Sequence, residues 1–154
     1  MSKASQYLTF GIDNEVFALP VERVREVLEL RPLSRLPKAP DFVLGLIDVR
    51  GESLVVADLR LRFGFPAAPP TDRTRIIVVQ AHVGGAPLSL GLKADCVFAV
   101  SDLDGAALEP PPTIGRRWRA EYVVGVGRDR GRFVVALDLD GLIEGGWSAA
   151  DLAA

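Results

Sequence analysis

The stretch from Phe42 to Phe63 reads FVLGLIDVRGESLVVADLRLRF and contains two short apolar runs separated by a turn. The runs cover residues 43–49 and 54–59, and the connection between them includes Gly51, which can adopt a positive φ without steric cost. Short apolar runs joined by a glycine-containing connection are typical of two paired strands. The stretch therefore predicts a β-hairpin that carries Arg50 where a strand meets its turn.

The motif of this hairpin occurs twice in the chain. Gly-x4-Arg-Gly-x3-Val-x2-Asp-Leu begins at Gly45 and again at Gly125, 80 residues later (125 − 45). Upstream, residues 8–12 match residues 88–92 at the same offset. A shared offset indicates a duplicated half. Because a half of this size buries little surface alone, we expect two similar small barrels that pack together as one domain.

Short apolar runs bounded by glycine and proline continue along the chain, and such a pattern indicates an all-β barrel or sandwich. The predicted strands are 7–12, 15–19, a strand up to Leu30 after a helical turn near 20–23, 44–50, 53–58, 75–81, 122–126 and 133–137. Residues 88–100 fit either one long strand or a bent pair. Short helices are predicted over 59–63, 138–143 and the C-terminal tail 147–154. The proline-rich segment 64–72 is the predicted boundary between the halves, and 127–132 is the predicted last turn.

Size and charge limit the possible classes of protein. The chain has 154 residues, a net charge of −2 and a sequence pI near 5.4, which argue against a general nucleic-acid binder. The N-terminal residues MSKASQYLTF lack the apolar core of a signal peptide, and no stretch reaches the roughly 18 apolar residues of a membrane helix. The expected location is the cytoplasm.

The sequence lacks the common motifs of enzyme chemistry. It contains no Walker A loop, no Gly-x-Ser-x-Gly and no His-Glu-x-x-His. The one histidine, His82, stands at a predicted strand end, and the one cysteine, Cys96, lies on the apolar face of its strand. A single cysteine excludes an internal disulfide and a cysteine-rich zinc site. We therefore expect a binding module with no catalytic residue, metal or cofactor.

A basic cluster with an aromatic residue follows a run of prolines. It consists of Arg116, Arg117, Trp118 and Arg119. Such a cluster can stack on bases or bind an acidic partner, and otherwise it is a solvated loop. A small nucleic-acid-binding β-barrel is therefore a second hypothesis, and the sequence does not define the role of the cluster.

Several segments resemble the bacterial chemotaxis coupling proteins of the CheW family. The matching segments are LTFGI at 8–12, VFALPV at 16–21, V-x-E-V at 24–27, L-P-x-A-P at 36–40, GLIDVRG at 45–51, VADLR at 56–60, GL at 91–92 with D-x-V at 95–97, YVVG at 122–125 and LDL-x-GL at 137–142. Their order and spacing cover about residues 7–143, so the resemblance is specific although each segment is short.

The resemblance implies a fold and an activity. The fold is two intertwined five-stranded SH3-like β-barrels in one domain over 7–145, with sub-barrels of about 7–66 and 73–145 that can exchange strands. The activity is that of an adaptor, not an enzyme. It bridges the cytoplasmic tip of methyl-accepting chemoreceptors and the regulatory domain of a CheA-type histidine kinase, binds no nucleic acid, does not insert into membranes and is monomeric when free. The alternative is a detached regulatory module of another two-component system.

The resemblance also assigns receptor-binding positions, while kinase-binding residues stay unassigned. The receptor-binding positions are Val24, Glu26, Gly45 and Arg50. The alternative is structural: Arg50 would only neutralise Asp48 or Asp58, and Glu26 would pair with a nearby arginine. Three positions depart from the family pattern. Asp48 replaces the usual asparagine near Arg50, Lys93 occupies a position that is usually apolar, and Ala57 stands where a larger residue is common.

Overall fold

The computed structural model describes residues 6–105, 107–110 and 122–144, and within them ten strands are separated by turns and short helices. The strands are β1 (Tyr7–Ile12), β2 (Glu15–Pro20), β3 (Val24–Glu29), β4 (Val43–Val49), β5 (Glu52–Asp58), β6 (Arg75–Val83), β7 (Ala86–Ala94), β8 (Cys96–Ser101), β9 (Val123–Asp129) and β10 (Arg132–Leu137). The helices are α1 (Leu59–Arg62) and α2 (Leu139–Glu144), and 3-10 turns cover Val21–Arg23 and Leu103–Gly105. The predicted helical turn before β3 is therefore confirmed.

The strands form two five-stranded sheets, each curled into an SH3-like barrel. The first sheet has the order β8-β1-β2-β10-β9, and the second has the order β3-β6-β7-β5-β4. Each sheet is antiparallel except for one parallel pair, β2 with β10 in the first sheet and β5 with β7 in the second. The predicted all-β fold with two five-stranded barrels is confirmed.

The predicted boundary between 7–66 and 73–145 does not separate the sheets. Each sheet combines a hairpin from one half of the chain, β1–β2 or β6–β7, with three strands from the other half. The chain changes sheets at Val21–Arg23 and at Asp95. In contrast, the segment 64–72 lies between β5 and β6, which belong to the same sheet. Four pairings join the halves, because each hairpin lies between strands of the other half: it has an antiparallel neighbour on one side, β1 with β8 or β6 with β3, and a parallel neighbour on the other, β2 with β10 or β7 with β5. The strands are exchanged between the barrels.

The duplicated motif corresponds to equivalent structures only in its downstream part. The hairpins β4–β5 and β9–β10 each lead into a short helix, and Arg50 and Arg130 have matching φ values of 53° and 55°. The upstream match is wrong, because residues 8–12 form β1, beside an edge strand, while residues 88–92 lie in β7, beside a parallel partner. Both strands bury alternate residues in the same core, which explains their similar sequences.

The largest hydrophobic core lies between the two sheets and receives residues from both. It includes the stacked rings of Phe17 and Phe63, with centroids 5.0 Å apart, and of Phe63 and Tyr122, 5.6 Å apart. A smaller cluster around Ile47, Val56 and Val78 fills the second barrel. Each large apolar side chain that is fully buried contributes about 1.5–3 kcal/mol. Because the central core joins the barrels, we regard them as one folding unit.

The apolar segment 88–100 forms two strands in different sheets, which decides between the two predicted alternatives. The break is at Asp95, whose carboxylate accepts hydrogen bonds from the Asp13 amide at 2.7 Å and from Arg60 Nη1 at 2.5 Å. In contrast, the predicted turn 127–132 is too long. β9 continues to Asp129, and only two residues connect it to β10.

Two predictions fall on residues outside the described part of the chain. They are the C-terminal helix at 147–154 and the basic cluster Arg116, Arg117, Trp118 and Arg119. Among the described residues, none of the helices has the length and apolarity needed to span a bilayer.

Candidate functional site

The structure brings Glu26 and Arg50 into contact at the mouth of the second barrel. Arg50 Nη1 donates to Glu26 Oε2 in an ion pair between β3 and the β4–β5 hairpin. The arginine side chain is 74% exposed, whereas that of Glu26 is only 19% exposed. A largely covered carboxylate therefore holds an arginine whose guanidinium is still open to a partner.

The β4–β5 turn fixes the base of the Arg50 side chain. Arg50 and Gly51 have φ values of 53° and 80°, and Val49 pairs directly with Glu52. Two central residues with positive φ are typical of a type I′ hairpin, whose twist matches that of the strands. Glycine accepts this conformation without strain, but arginine does so at a cost. The hairpin therefore projects Arg50 from a tight turn.

A β-bulge in β3 explains why Val24 and Glu26 have different surroundings. The register with β6 pairs Val24 with Val79 and Glu26 with Val78, so Arg25 is the extra residue. A bulge changes which side of a strand the following residues face. Val24 consequently packs against the central core, while Glu26 contacts Arg50.

Gly45 is buried, and its role in the structure is steric. A Cβ atom there would collide with the carbonyl oxygen of Ser34, and the φ of 150° disfavours other residues. The close approach allows two backbone hydrogen bonds between Ser34 and Leu46, at 2.9 and 2.7 Å. Gly45 thus anchors the connection from β3 to β4 and shapes the strand that leads to Arg50.

The two partners that the structural alternative names for Arg50 are wrong, because Arg50 pairs with Glu26 and with neither Asp48 nor Asp58. The Asp48 carboxylate accepts from Ser53 Oγ at 3.0 Å and is exposed. Asp58 is buried, caps α1 through the amide of Arg60 at 2.9 Å, and lies 3.8 Å from the Lys93 ammonium. The predicted pairing of Glu26 with a nearby arginine is correct, and that arginine is Arg50 itself.

A second contact at the mouth of this barrel, which involves Arg25 of β3, was not predicted from the sequence. Arg25 Nη1 donates to Ser89 Oγ at 2.7 Å and lies 3.6 Å from Glu52 Oε1. The available signal was the order of charges, since Arg25 precedes Glu26 on β3 and Glu52 follows Arg50 on the hairpin. Without the fold, nothing showed that these two segments face each other.

One known protein family matches almost the whole chain. The model described as "CheW-like domain" matches residues 6–145. The chain belongs to the CheW family. It is 31% identical over 148 residues to "Chemotaxis protein CheW" of Rhizobium meliloti, covering 91% of this chain and 93% of that protein. It is also 33% identical over 124 residues to "Protein FrzA" of Myxococcus xanthus, covering 79% and 72% respectively.

A solved structure supports the same relationship. The crystal structure of the scaffolding protein TtCheW from Thermoanaerobacter tengcongensis superposes with a TM-score of 0.81 at 26% sequence identity. The match covers 96% of this chain and 99% of that one. The exchanged two-barrel arrangement is therefore shared with a CheW protein.

The second hairpin of this CheW-family chain provides an internal comparison for Arg50. Arg130 occupies the same turn position, but its backbone amide donates to Asp104 at 3.1 Å. Its guanidinium has no hydrogen bond or ion pair with the residues that the structure describes. In the first barrel, the end of β8 contacts the β9–β10 hairpin through a hydrogen bond instead of an ion pair. The neutral Ser101 Oγ donates to the Asp129 carboxylate at 2.9 Å. The arginine–glutamate pair therefore distinguishes the second barrel from the first.

Proposed function

We propose that this chain is an adaptor that bridges the cytoplasmic tip of methyl-accepting chemoreceptors and the regulatory domain of a CheA-type histidine kinase. The observation that carries the proposal is the Glu26–Arg50 pair at the barrel mouth of a CheW-family chain. The pair presents one exposed cation at a fixed place on a rigid hairpin. Fixed charges give register and specificity at a helical protein surface.

The four proposed receptor-site residues contribute differently. Arg50 contacts the receptor directly, because most of its side chain is open to solvent. Glu26 orients Arg50, and Val24 anchors β3 to the central core. Gly45 allows the backbone contact that shapes β4. The receptor therefore binds one exposed cation that three less accessible residues support.

The proposed mechanism needs no catalytic residue, metal or cofactor. The adaptor is monomeric when free, works in the cytoplasm and binds each partner through a small interface of about 1,200 Å² or less. Several weak contacts in an array add up to stable assembly. The signal passes as a shift in the kinase conformations that the complex favours.

The test compares Arg50→Glu with Arg130→Glu, which places the same reversal at the same turn position of the other barrel. We expect Arg50→Glu to reduce co-sedimentation with receptor-containing membranes by more than about tenfold, because like charges at an interface are strongly unfavourable. Arg130→Glu should co-sediment like the unmodified protein. Circular-dichroism melts establish that both variants are folded.

Two results would overturn the proposal. One is receptor binding by a folded Arg50→Glu variant, and the other is an equal loss in both variants. A pull-down from lysate with the tagged chain tests the kinase partner. Recovery of a CheA-type kinase together with a chemoreceptor supports the adaptor, whereas recovery of another sensor system alone supports the alternative of a detached regulatory module.

A further inference from the structure

Four charged residues at the mouth of the second barrel form two ion pairs. β3 contributes Arg25 and Glu26, and the β4–β5 hairpin contributes Arg50 and Glu52. Arg50 pairs with Glu26, while Arg25 lies 3.6 Å from Glu52 and also donates to Ser89 at 2.7 Å. Each cation therefore contacts an anion on the opposite segment.

These ion pairs connect the two ends of one sheet. β3 and β4 are the edge strands in the order β3-β6-β7-β5-β4, and both pairs join β3 to the hairpin. The bulge at Arg25 is what allows two neighbouring residues, Arg25 and Glu26, to take part. The extra residue in a bulge re-aims the side chains around it, so both can meet the hairpin.

Arg50 has a second carboxylate available in its own hairpin. Glu52 follows it by two residues, with only Gly51 between them, and its side chain is 56% exposed. The observed partner of Arg50 is nevertheless Glu26, and the observed partner of Glu52 is Arg25. Arg25, and not Arg50, is therefore the cation that pairs with Glu52.

We infer that Arg25 is a positioning residue for receptor binding, because it engages Glu52 and thereby leaves Arg50 to Glu26. The inference rests on the proposed function, in which Arg50 contacts the receptor. Without Arg25, the free carboxylate of Glu52 draws the Arg50 guanidinium back toward its own hairpin. Receptor binding then weakens although no receptor-contacting group has been removed.

The experiment measures the affinity for a coiled-coil fragment of a chemoreceptor cytoplasmic tip from the same genome. The variants are Arg25→Met, which keeps the aliphatic length, Glu52→Gln, and the double variant that combines them. We expect Arg25→Met to weaken binding about threefold, the size of one exposed ion pair. Glu52→Gln alone should bind like the unmodified protein. In the double variant the competitor is gone, so binding should return.

The rescue separates positioning from a structural or direct role. If Arg25 only connected β3 to the hairpin, or contacted the receptor itself, adding Glu52→Gln to Arg25→Met would not restore receptor binding. That result would show the inference to be wrong. The ¹⁵Nε resonance of Arg50 is a second readout, expected to shift in Arg25→Met and to return in the double variant. Unchanged binding in Arg25→Met also overturns the inference. The Arg50→Glu variant, measured in parallel, reports separately on the proposed function: retained binding there refutes that function itself.

Discussion

At the residue scale, neighbouring positions in one motif have different tasks. Gly45 and Arg50 belong to the same GLIDVRG segment, and both are assigned to receptor binding by family resemblance. The structure gives Arg50 an exposed guanidinium and gives Gly45 a buried contact with Ser34. The sequence predicted the exposed turn arginine because turn position follows from local pattern. It could not reveal the task of Gly45, because Ser34 reaches that glycine only through the fold.

Gly45→Ala should destabilise the protein by about 2 kcal/mol, since the new Cβ would collide with a backbone carbonyl that cannot rotate away. Gly51→Ala is the matched control. Its φ of 80° is also unfavourable for alanine, but no atom lies within 4 Å of the new Cβ. Urea unfolding measures both variants. Equal destabilisation would show that backbone strain, not the contact with Ser34, explains the glycine at position 45.

At the scale of elements, the sequence predicted most strands but not their partners. The strands before residue 60 lie within one or two residues of their predicted bounds, because alternation of apolar residues is a local signal. The break at Asp95 was left open, since the groups that fix it, Asp13 and Arg60, come from distant segments. The extra length of β9 was missed because the glycines at 127 and 131 resemble a turn, although Gly127 makes room for Leu108 and Leu103.

The short helix α2 is joined to the 3-10 turn Val21–Arg23 and to β6 by a single carboxylate. Asp140 accepts two hydrogen bonds from Arg23, at 2.8 and 3.2 Å, and one from the amide of His82 at 2.8 Å. Partial burial acts to raise the pKa of Asp140, but these hydrogen bonds and the positive charge of Arg23 outweigh it and hold the pKa below its ordinary value. The folded state therefore binds the ionised form more tightly than the unfolded chain does.

This contribution to stability is present above the unfolded pKa of about 4 and is lost as the pH falls through the lower folded value. Asp140→Asn should lower the free energy of unfolding by about 1 kcal/mol at pH 7 and by less at pH 3. Urea unfolding at the two pH values measures the difference. Asp102→Asn, at an exposed carboxylate, is the control. The same loss at both pH values would contradict the role of the charge.

At the scale of the whole molecule, strand exchange makes the two barrels interdependent. The repeated motif predicted two small barrels packed as one domain, and the family resemblance implied that this is a CheW-like domain whose barrels can exchange strands. The division into consecutive halves does not match the sheets, because sheet membership depends on long-range pairs between the halves: β1 with β8, β2 with β10, β3 with β6 and β5 with β7. A local pattern specifies that a strand forms, whereas its neighbours are chosen by burial in the shared core.

We expect Arg60 to contribute strongly to the coupling between the two barrels. Its side chain is 11% exposed, and it donates to Asp95 at 2.5 Å, to Asp13 at 3.3 Å and to the carbonyl of Pro66 at 2.9 Å. It thereby links α1 of the second barrel to the β1–β2 turn of the first and to the β7–β8 crossover. The guanidinium is the group that balances both carboxylates where the chain passes between sheets.

Arg60→Met should cost about 2 kcal/mol, because it leaves the partly exposed carboxylates of Asp13 and Asp95 without their cation and removes the hydrogen bond to Pro66. Arg73→Met, on an exposed segment, is the control and should have little effect. We expect one cooperative transition in each protein, since both barrels share the central core. Amide resonances from β9 and from β4 should therefore disappear at the same urea concentration. Separate midpoints for the two barrels in Arg60→Met would instead show that each barrel can stay folded without the other.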